Sequence, residues 1–501
     1  METASLIQLA SLVGAAGSAL VLLTGRRVFL LLGLAALLGA ELALGLALVS
    51  ADDVGHALAG PLRLGALAAV VVALAALAAG LLRVPAAVPV VLLAVAPFRI
   101  PVEVGAQKAF LLVPLYGALA ASAAALAVRA LRNAELKRLP LLLGAPATAF
   151  IALAALSSLW SEDVEASAVK LLFFYFPFAV LVAVAARAPL AVWTGRALAA
   201  TMIVLGVGLA AVGLWQLRSE NLFFARDLEV GNAYTTFFRT TSVFNDPSIY
   251  GRHLVLVLLV VFAALWLSRL PLLPGVALLA FVGAGLYFTY SQSSMLALAA
   301  GVLLVVLVAA DPRSRTIVVA GALVPLAIAG VVLVLVTENH SVSRITSKRS
   351  DLVANAVEVT REHPVAGVGI GAETRAAEEV ARAHPNRSRK SSHTTPLTVS
   401  AELGALGGLA YLLFLAGAAR LLFLAHARDG ALGLGLAAVF LALFVHSLFY
   451  SGFFEDPIAW LALAVAGALA FAPREAVAAA PEGESRRVER PALATEQRLP
   501  G

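Results

Sequence analysis

The sequence predicts an all-α, polytopic membrane protein: a helical bundle of about 12–15 transmembrane helices with a large helical extracytoplasmic loop. The chain has 501 residues, of which 61% are hydrophobic and only 13% are charged. Soluble proteins have roughly 45–50% apolar and about 25% charged residues. Apolar runs of about 17–25 residues, each long enough to cross a bilayer as a helix, recur along most of the chain.

The individual spans follow from these runs. Candidate transmembrane helices lie near residues 5–23, 28–49, 62–82, 85–97, 108–131, 140–159, 166–187, 193–217, 247–268, 273–290, 294–310, 316–336, 394–424, 430–450 and 457–472. The first run has neither a basic leader nor a small-residue cleavage site, so we interpret it as a retained helix. Three prolines within 85–97 predict that this short run is broken or re-entrant.

Charges on the connections predict the orientation of the helices. Arginine-rich connections such as Arg26-Arg27 alternate with acidic ones such as Asp52-Asp53 and Glu455-Asp456. Because basic loops tend to stay in the cytoplasm, the two longer polar segments are predicted to lie outside, on one face. The expected division is 1–217 (N-terminal transmembrane helices), 218–246 (extracytoplasmic loop), 247–336 (central transmembrane helices), 337–393 (large extracytoplasmic loop), 394–472 (C-terminal transmembrane helices) and 473–501 (disordered cytoplasmic tail).

Composition and motifs exclude several functional classes. The chain has no cysteine, which excludes disulfides, thiolate metal sites and cysteine nucleophiles. It has no P-loop, so it is not expected to hydrolyse nucleotide, and no metal-binding motif, so neither a metal nor another cofactor is expected. The isoelectric point near 9.8 is explained by cytoplasmic arginines, and we expect no nucleic-acid partner.

The segment 337–393 is the longest polar passage and holds half of the eight histidines. Within it, Asp351–Arg361 fits a helix that ends at His363-Pro364. Its apolar face consists of Leu352, Ala356 and Val359. The glycines at 367, 369 and 371 are interpreted as a turn rather than a phosphate loop, because no strand precedes them and no helix follows in a βαβ unit.

Arginines gather in and beside the two outer segments and are candidate anion-binding residues: Arg344, Arg349, Arg361, Arg375, Arg382, Arg387 and Arg389 in the longer segment, and Arg218, Arg226, Arg239 and Arg252 in or just after the shorter one. Planar guanidinium groups in a partly dry pocket bind phosphate or diphosphate through paired hydrogen bonds. Arg252 would lie about one turn inside a helix that starts at Asp246-Pro247, where an unpaired charge is costly. It should therefore face a cavity or a partner. The alternatives are solvated side chains, contact with anionic lipid headgroups and, for Arg252, snorkelling to the interface.

His393 is the candidate general base. It lies where the polar segment meets a membrane helix, three residues before Pro396, which can open that helix. An imidazole titrates near neutrality and can take a proton from a sugar hydroxyl. The alternative is a structural histidine at a helix start.

Three segments give the sequence a resemblance to the O-antigen ligase and O-antigen polymerase family of integral membrane glycosyltransferases. Arg239–Ser248 is similar to the family's arginine-led stretch with Phe-x-(Asp/Asn)-Pro before a membrane helix. Lys348–Gly369 is similar to its arginine-led helix that ends in His-Pro-x-x-Gly-x-Gly. His393–Gly407 is similar to its His-Asn-x-x-Leu followed by Glu-Leu-Gly. Two departures are Ser293-Ser294, where the family often has Ser-Arg, and Thr394, where it usually has Asn.

The resemblance implies a GT-C-type, inverting, metal-independent glycosyltransferase in the bacterial cytoplasmic membrane, with its active site facing the periplasm or cell exterior. Its donor would be an undecaprenyl-diphosphate-linked glycan, and its acceptor a glycan, lipid or other hydroxyl compound, among membrane lipids. His393 would activate the acceptor hydroxyl. Arg239 and Arg349 would hold the diphosphate, with Arg252 and Arg361 as further candidates.

Three alternatives stay open in the sequence. Polymerase and ligase share these motifs and differ in the acceptor. A lipid-linked oligosaccharide flippase or other transporter would place its charges along a central cavity within the bilayer. A non-catalytic envelope scaffold would not need His393. The stretch Arg382–Lys390 has no assigned role.

Overall fold

A computed structural model describes residues 3–49, 61–104, 107–133, 136–318, 349–383 and 392–472. It confirms the predicted all-α polytopic membrane fold, with 79% helix. Within these ranges, eleven helices are long and apolar enough to cross a membrane, and three shorter apolar helices accompany them. The predicted span 316–336 and the stretch Arg382–Lys390 lie largely outside the described residues.

The helices are, in chain order, α1 (Thr3–Leu23), α2 (Arg27–Leu48), α3 (Pro61–Arg83), α4 (Val88–Val95), α5 (Val113–Leu131), α6 (Leu141–Leu156), α7 (Val164–Lys170), α8 (Phe176–Arg187), α9 (Thr194–Ser219), α10 (Arg226–Ala233), α11 (Pro247–Trp266), α12 (Leu272–Tyr287), α13 (Gln292–Ala309), α14 (Arg349–Glu362), α15 (Glu373–Ala383), α16 (Thr395–Arg428), α17 (Gly430–Ser447) and α18 (Pro457–Ala470). A π-helical turn, Leu171–Tyr175, joins α7 to α8. Two strands, β1 (Ile100–Val104) and β2 (Gln107–Leu111), form an antiparallel hairpin.

The region 85–111 departs from the simplest reading of its apolar runs. The run 85–97 is broken as predicted, into a 3₁₀ turn over Pro85–Ala87 and the short helix α4. The predicted start of the next span near residue 108 is wrong. Residues 107–111 form β2, and the helix α5 begins at Val113 with a proline in its first turn. Apolar content alone does not separate a short strand from the start of a membrane helix.

The core lies around α8, α11 and α18. Every residue of α8 is buried, and Phe150 of α6 stacks on Phe454 with ring centroids 3.8 Å apart. By contrast, only 6% of the residues in the apolar stretch of α3 are buried inside the protein. In a membrane, an apolar helix with so little protein contact faces lipid. The fold is thus a densely packed centre with lipid-facing helices around it.

At one end of the bundle, the helix α16 is broken, and the described part of the segment 337–393 that the sequence predicts to lie outside docks into the break; we call it the outer segment. Gly404 has φ 61° and ψ −154° inside α16, which frees main-chain groups on either side. The amide nitrogens of Val368 and Gly369 donate to the carbonyl oxygens of Ala401 (3.0 Å) and Glu402 (2.8 Å). In return, the amide nitrogen of Ala405 donates to the carbonyl oxygen of Pro364 at 2.9 Å. The break therefore works as a docking strip for the outer segment.

The glycines of the docked segment form the predicted turn. Gly367, Gly369 and Gly371 all have positive φ, at 66°, 96° and 83°. A Cβ on Gly369 would lie 2.4 Å from Cα of Ser161, so the chains are in backbone contact there. Only glycine combines this conformation with this approach.

The helix α14 also matches its prediction. It ends at Glu362, immediately before His363-Pro364. Its predicted apolar face, Leu352, Ala356 and Val359, is buried. Val359 of this face, Ala376 and Val380 of α15, and Ala401 of α16 belong to a small second core. The outer segment is thus packed on the membrane bundle rather than extended from it.

The docking strip predicts opposite effects for two glycines of one helix. In Gly404→Ala, the left-handed φ costs about 1–3 kcal/mol, and the new Cβ meets the Val365 backbone at 2.4 Å. We expect a lower midpoint of thermal unfolding and faster proteolysis between α14 and α15. The control Gly408→Ala adds a Cβ that meets nothing within 4 Å and should unfold at or above the wild-type temperature. Equal behaviour of the two variants would contradict the docking.

Candidate functional site

A cavity of about 900 Å³ lies at the end of the bundle where the two outer segments meet, and we call it the larger cavity. Its polar lining contains Arg99, Arg226, Asp227, Arg239, Asn245, Asp246, Ser248, Arg252, His393, Tyr450, Ser451 and Glu455. Three residues predicted from the sequence, Arg239, Arg252 and His393, thus line one space, although 154 positions separate the first from the last.

The other two predicted residues are placed differently. Arg361 is exposed in the last turn of α14 and does not line the larger cavity. Arg349 is the first residue of α14, and its side chain lies outside the part of the chain that the structure describes. The structure therefore brings together the base candidate and two of the four arginines that the family resemblance singles out.

Arg239 is held in place through its main chain as well as its side chain. Asn232 accepts from the Arg239 amide nitrogen at 3.1 Å and donates to its carbonyl oxygen at 3.0 Å. Arg239 Nε donates to the carbonyl oxygen of Thr289 at 3.1 Å. Burial lowers the pKa of the Arg239 guanidinium, while Asp246 opposes this change.

A buried glutamine fixes the chain that follows Arg239. Gln216 Oε1 accepts from the amide nitrogens of Thr241 (3.1 Å) and Ser242 (2.7 Å), and its Nε2 donates to the Ser242 carbonyl oxygen at 2.8 Å. Ser242 itself has φ 53°. One side chain of α9 therefore satisfies the buried backbone of a strained turn and sets the path between Arg239 and α11.

Arg252 satisfies both conditions that the sequence suggested, since it lines a cavity and has a partner. It is only 6% exposed, and its Nε lies 3.1 Å from Asp456 Oδ2. Asp456 is 2% exposed and also accepts from the amide nitrogen of Ile458, so it caps α18. Burial alone would raise the pKa of Asp456, but the Arg252 guanidinium holds it below its ordinary value. Two buried charges of opposite sign thus join α11 to α18.

His393 is exposed at the mouth of α16, which begins at Thr395 with a proline in its first turn, as predicted. The neighbouring Ser392 donates its amide hydrogen to Glu373 Oε1 at 2.8 Å. The His393 ring is nearly parallel to the Tyr450 ring, with 9° between planes and 6.4 Å between centroids. Burial raises the pKa of Tyr450, and the nearby carboxylate of Asp246 raises it further. Tyr450 is therefore a neighbour of both the His393 ring and Asp246, the residue before α11.

Sequence reasoning missed Arg99, and it counted Arg226 among the outer arginines without singling it out for the diphosphate. Arg99 follows the broken run and precedes β1, so the hairpin brings it to the larger cavity. Burial lowers its pKa, and the proximity of Arg252 adds to this effect. One signal was present in the sequence: Arg99 stands between Pro97 and Pro101, where an apolar run stops. The lining of the larger cavity thus holds four arginines.

A smaller cavity of about 230 Å³ adjoins the larger one, and Ser451, Gly452 and Glu455 line both. Lys170 Nζ lies 3.0 Å from Glu402 Oε1 and 3.2 Å from Glu455 Oε1. Glu402 belongs to the Glu-Leu-Gly stretch at the helix break, so the ion pair stands directly beside the docking strip. No pattern in the sequence pointed to this triad, because its members are 232 and 285 positions from Lys170.

The serine pair where the family often has Ser-Arg has a packing explanation. Ser294 is fully buried, and a Cβ on Gly251 would lie 2.6 Å from Ser294 Oγ. The helices α11 and α13 thus meet too closely for a long side chain at this position. Ser293 Oγ lies 3.2 Å from His446 Nε2.

The arrangement suits an anionic ligand next to a base. Of the three acidic side chains in the lining, Asp246 accepts from two amide nitrogens of α11, and Glu455 is paired with Lys170. Arg252 is paired with Asp456, so Arg99, Arg226 and Arg239 supply the positive charge that a ligand would meet. Guanidinium groups in a partly water-excluded site bind phosphate oxygens strongly.

Comparison with protein families matches residues 276–412 to the family model described as O-antigen ligase. The match extends from α12 to the middle of α16 and includes Arg349, Arg361 and His393, whereas Arg239 and Arg252 precede it. It confirms the resemblance that the sequence motifs indicated. No curated protein matches the chain.

The hydrogen bonds of Gln216 to Thr241 and Ser242, which we call the Gln216 clamp, predict that loss of this side chain destabilises the protein. Gln216→Leu leaves the amide groups of Thr241 and Ser242 buried and unpaired, at about 1–3 kcal/mol each. We expect a lower unfolding temperature and faster amide hydrogen exchange over residues 239–246. Gln292→Leu changes an exposed glutamine at the start of α13 and should leave both unchanged. Normal protection of 239–246 in Gln216→Leu would contradict the clamp.

Proposed function

We propose that the chain transfers an undecaprenyl-diphosphate-linked glycan to a hydroxyl acceptor in the larger cavity, because residues 276–412 match the family model described as O-antigen ligase. The observation that carries the proposal is the convergence of His393, Arg239 and Arg252 on that cavity. A base and a set of cations around one space are what such a transfer needs, since it removes a proton from the acceptor and develops charge on a diphosphate.

The arginines bind the leaving group in this proposal. Arg239 and Arg252 hold the diphosphate, and Arg99 and Arg226 on the same lining are available to its outer oxygens. As the bond to the anomeric carbon breaks, negative charge on the diphosphate grows, and fixed guanidinium groups stabilise it more in the transition state than in the ground state. This role for the arginines makes the transfer independent of a divalent metal. Arg349 and Arg361 keep the role implied by the family resemblance.

His393 acts on the acceptor. The acceptor oxygen attacks the anomeric carbon from the side opposite the diphosphate while its proton passes to the imidazole. One C–O bond forms and the C–O bond to the diphosphate breaks, so the configuration inverts and undecaprenyl diphosphate leaves. No protein nucleophile takes part in this sequence.

The proposed site faces the outside of the cytoplasmic membrane. Described residues of the two predicted outer segments, among them Arg239 and His393, line the same cavity, and this supports the proposal. The acidic connection Glu455-Asp456 also lies at the end of the bundle that holds this cavity. The proposal keeps the predicted division into membrane regions and two outer loops, with 337–393 as the catalytic loop.

The reaction can be tested with the full chain in lipid nanodiscs. With an undecaprenyl-diphosphate-linked oligosaccharide and chelator present, we expect release of undecaprenyl diphosphate together with a new glycosidic product. His393→Ala should lower the rate by about 10²–10⁴-fold, the usual contribution of a general base. The matched control His426→Ala removes a half-buried histidine at the far end of α16, where its Nδ1 lies 3.0 Å from the carbonyl oxygen of Gly430, and it should keep the wild-type rate. Full activity in His393→Ala would overturn its role.

The arginine role has its own test in the same assay. Arg239→Lys keeps the charge but loses the planar fork, so the transfer rate should fall substantially while the fold remains. Arg218→Met changes an exposed arginine at the end of α9 and should have no effect. Equal rates in Arg239→Lys and wild type would contradict a bidentate diphosphate contact.

Product size separates the two forms of the proposed activity. A ladder of repeat units identifies a polymerase, and a single transfer to a different acceptor identifies a ligase. Transbilayer movement of the lipid without a new glycosidic bond would instead identify a transporter.

A further inference from the structure

We infer that the smaller cavity binds one sugar unit of the acceptor glycan, next to the hydroxyl that His393 activates. That this sugar belongs to the acceptor rests on the proposed function, whereas sugar binding follows from the shape and chemistry of the cavity. Its volume, about 230 Å³, is several times the roughly 30 Å³ that a water molecule occupies in the liquid. The space is therefore sized for a ring-shaped polyol rather than for one or two waters.

The smaller cavity is continuous with the site of chemistry. Glu455 and Gly452 line both spaces. Gly452 has φ 111°, and a Cβ there would lie 3.0 Å from Glu455 Oε2, so the bare backbone leaves room for that carboxylate. Thr395 and His393 stand two residues apart at the start of α16, one lining each cavity. A ligand that fills the smaller cavity can thus extend past Glu455 towards His393.

The charges of the smaller cavity select for a neutral polyol. Three carboxylates line it, from Glu373, Glu402 and Glu455, against the single ammonium of Lys170. A diphosphate would be repelled by this excess of negative charge. A metal cation would compete with Lys170 Nζ, which already lies 3.0 Å and 3.2 Å from two of the carboxylates. Sugar hydroxyl groups, in contrast, donate to carboxylates and accept from an ammonium.

The other lining residues fit the same ligand. Tyr175, Phe453 and Phe454 contribute aromatic surface, and Thr374, Thr395 and Thr398 contribute hydroxyl groups. A sugar ring presents both apolar C–H faces and polar edges, so it matches a site with aromatic and hydroxyl-bearing walls. An alkyl chain would leave the carboxylates and hydroxyls unpaired, which is costly in a buried site.

In the lining of the smaller cavity, the buried hydroxyl of Thr395 has no hydrogen-bond partner within the described part of the chain. Thr395 is 4% exposed, and its Oγ1 makes no hydrogen bond there. A buried polar atom left unpaired costs about 1–3 kcal/mol. A ligand hydroxyl in the smaller cavity would pair with it and recover this cost. Thr395 Oγ1 is therefore the group that most directly indicates a bound polyol.

Sugar binding can be measured without turnover. The probes are methyl glycosides of a hexose, a 6-deoxyhexose and an N-acetylhexosamine, detected by saturation-transfer NMR on the full chain in nanodiscs. At least one should bind wild type. Thr395→Val should weaken its binding by about 2- to 10-fold, the value of one hydrogen bond. Thr374→Phe, which adds bulk at an exposed position of the lining, should abolish it.

Matched controls separate ligand contact from general damage. Thr148→Val removes another buried hydroxyl without a partner among the described residues, in α6 and away from both cavities. Glu378→Phe adds the same bulk to an exposed position of α15 that does not line the smaller cavity. Both should bind the probe as wild type does. Unfolding temperatures of all four variants report whether the fold is retained.

The two proposals fail in different ways. His393→Ala should lose transfer yet keep probe binding, because it does not line the smaller cavity. Thr374→Phe should raise the acceptor KM of the transfer reaction while leaving the donor KM unchanged. If no probe binds wild type, or if Thr395→Val and Thr374→Phe bind as wild type does, the sugar site is overturned. If probes bind and no glycosidic bond forms, the proposed function fails and the sugar site stands.

Discussion

The backbone hydrogen bonds between the outer segment and the break in α16 are the constraint on which the rest of the site depends. Gly404 opens the helix, and the chain from Pro364 to Gly369 pairs with the exposed main-chain groups. The docked segment also binds the connection after α6, where the Glu162 amide nitrogen donates a hydrogen bond to the Val368 carbonyl oxygen. Three parts of the chain are thereby fixed to one another at the end of the bundle.

This docking has a direct consequence for His393. The first helical turns of α16, before the break, are packed against α14 and α15 rather than left to fray. Glu373 at the start of α15 then holds Ser392. The position of His393 is therefore determined by the outer segment and by the membrane helix together. A histidine at a free helix end would have no such definition.

The arginines are positioned by a different principle, which is the cost of burying charge. Arg252 is placed within α11 and must have a partner, and Asp456 supplies it from α18. Arg239 is held by carbonyl and amide groups that leave its charge uncompensated by a direct ion pair among the described residues. One arginine thus anchors the wall of the larger cavity, and the other presents most of its charge to a ligand.

Local features of the site could be predicted from the sequence because short motifs determine them. Asp246-Pro247 gives the start of α11, Pro396 gives the start of α16, and the alternation of polar and apolar residues gives the buried face of α14. Pairings between distant residues could not be predicted. Arg252 with Asp456 and Lys170 with Glu402 each join two helices whose packing the individual sequence patterns do not specify.

The hairpin β1–β2 illustrates the same limit. Its apolar residues predicted the beginning of a membrane helix instead of a strand. The place of Arg99 in the larger cavity was therefore not predicted. Of the arginines that the family resemblance singled out, Arg239 and Arg252 line the larger cavity, and both lie near the start of α11. Arg99 depends on a strand pairing that only the folded chain reveals.

A structure of the full chain in nanodiscs with the undecaprenyl-diphosphate-linked glycan bound would test the central claim most directly. The account predicts phosphate oxygens within about 3 Å of the guanidinium groups of Arg239 and Arg252, with the anomeric carbon facing His393. A diphosphate bound at the opposite end of the bundle, or outside the larger cavity, would contradict it.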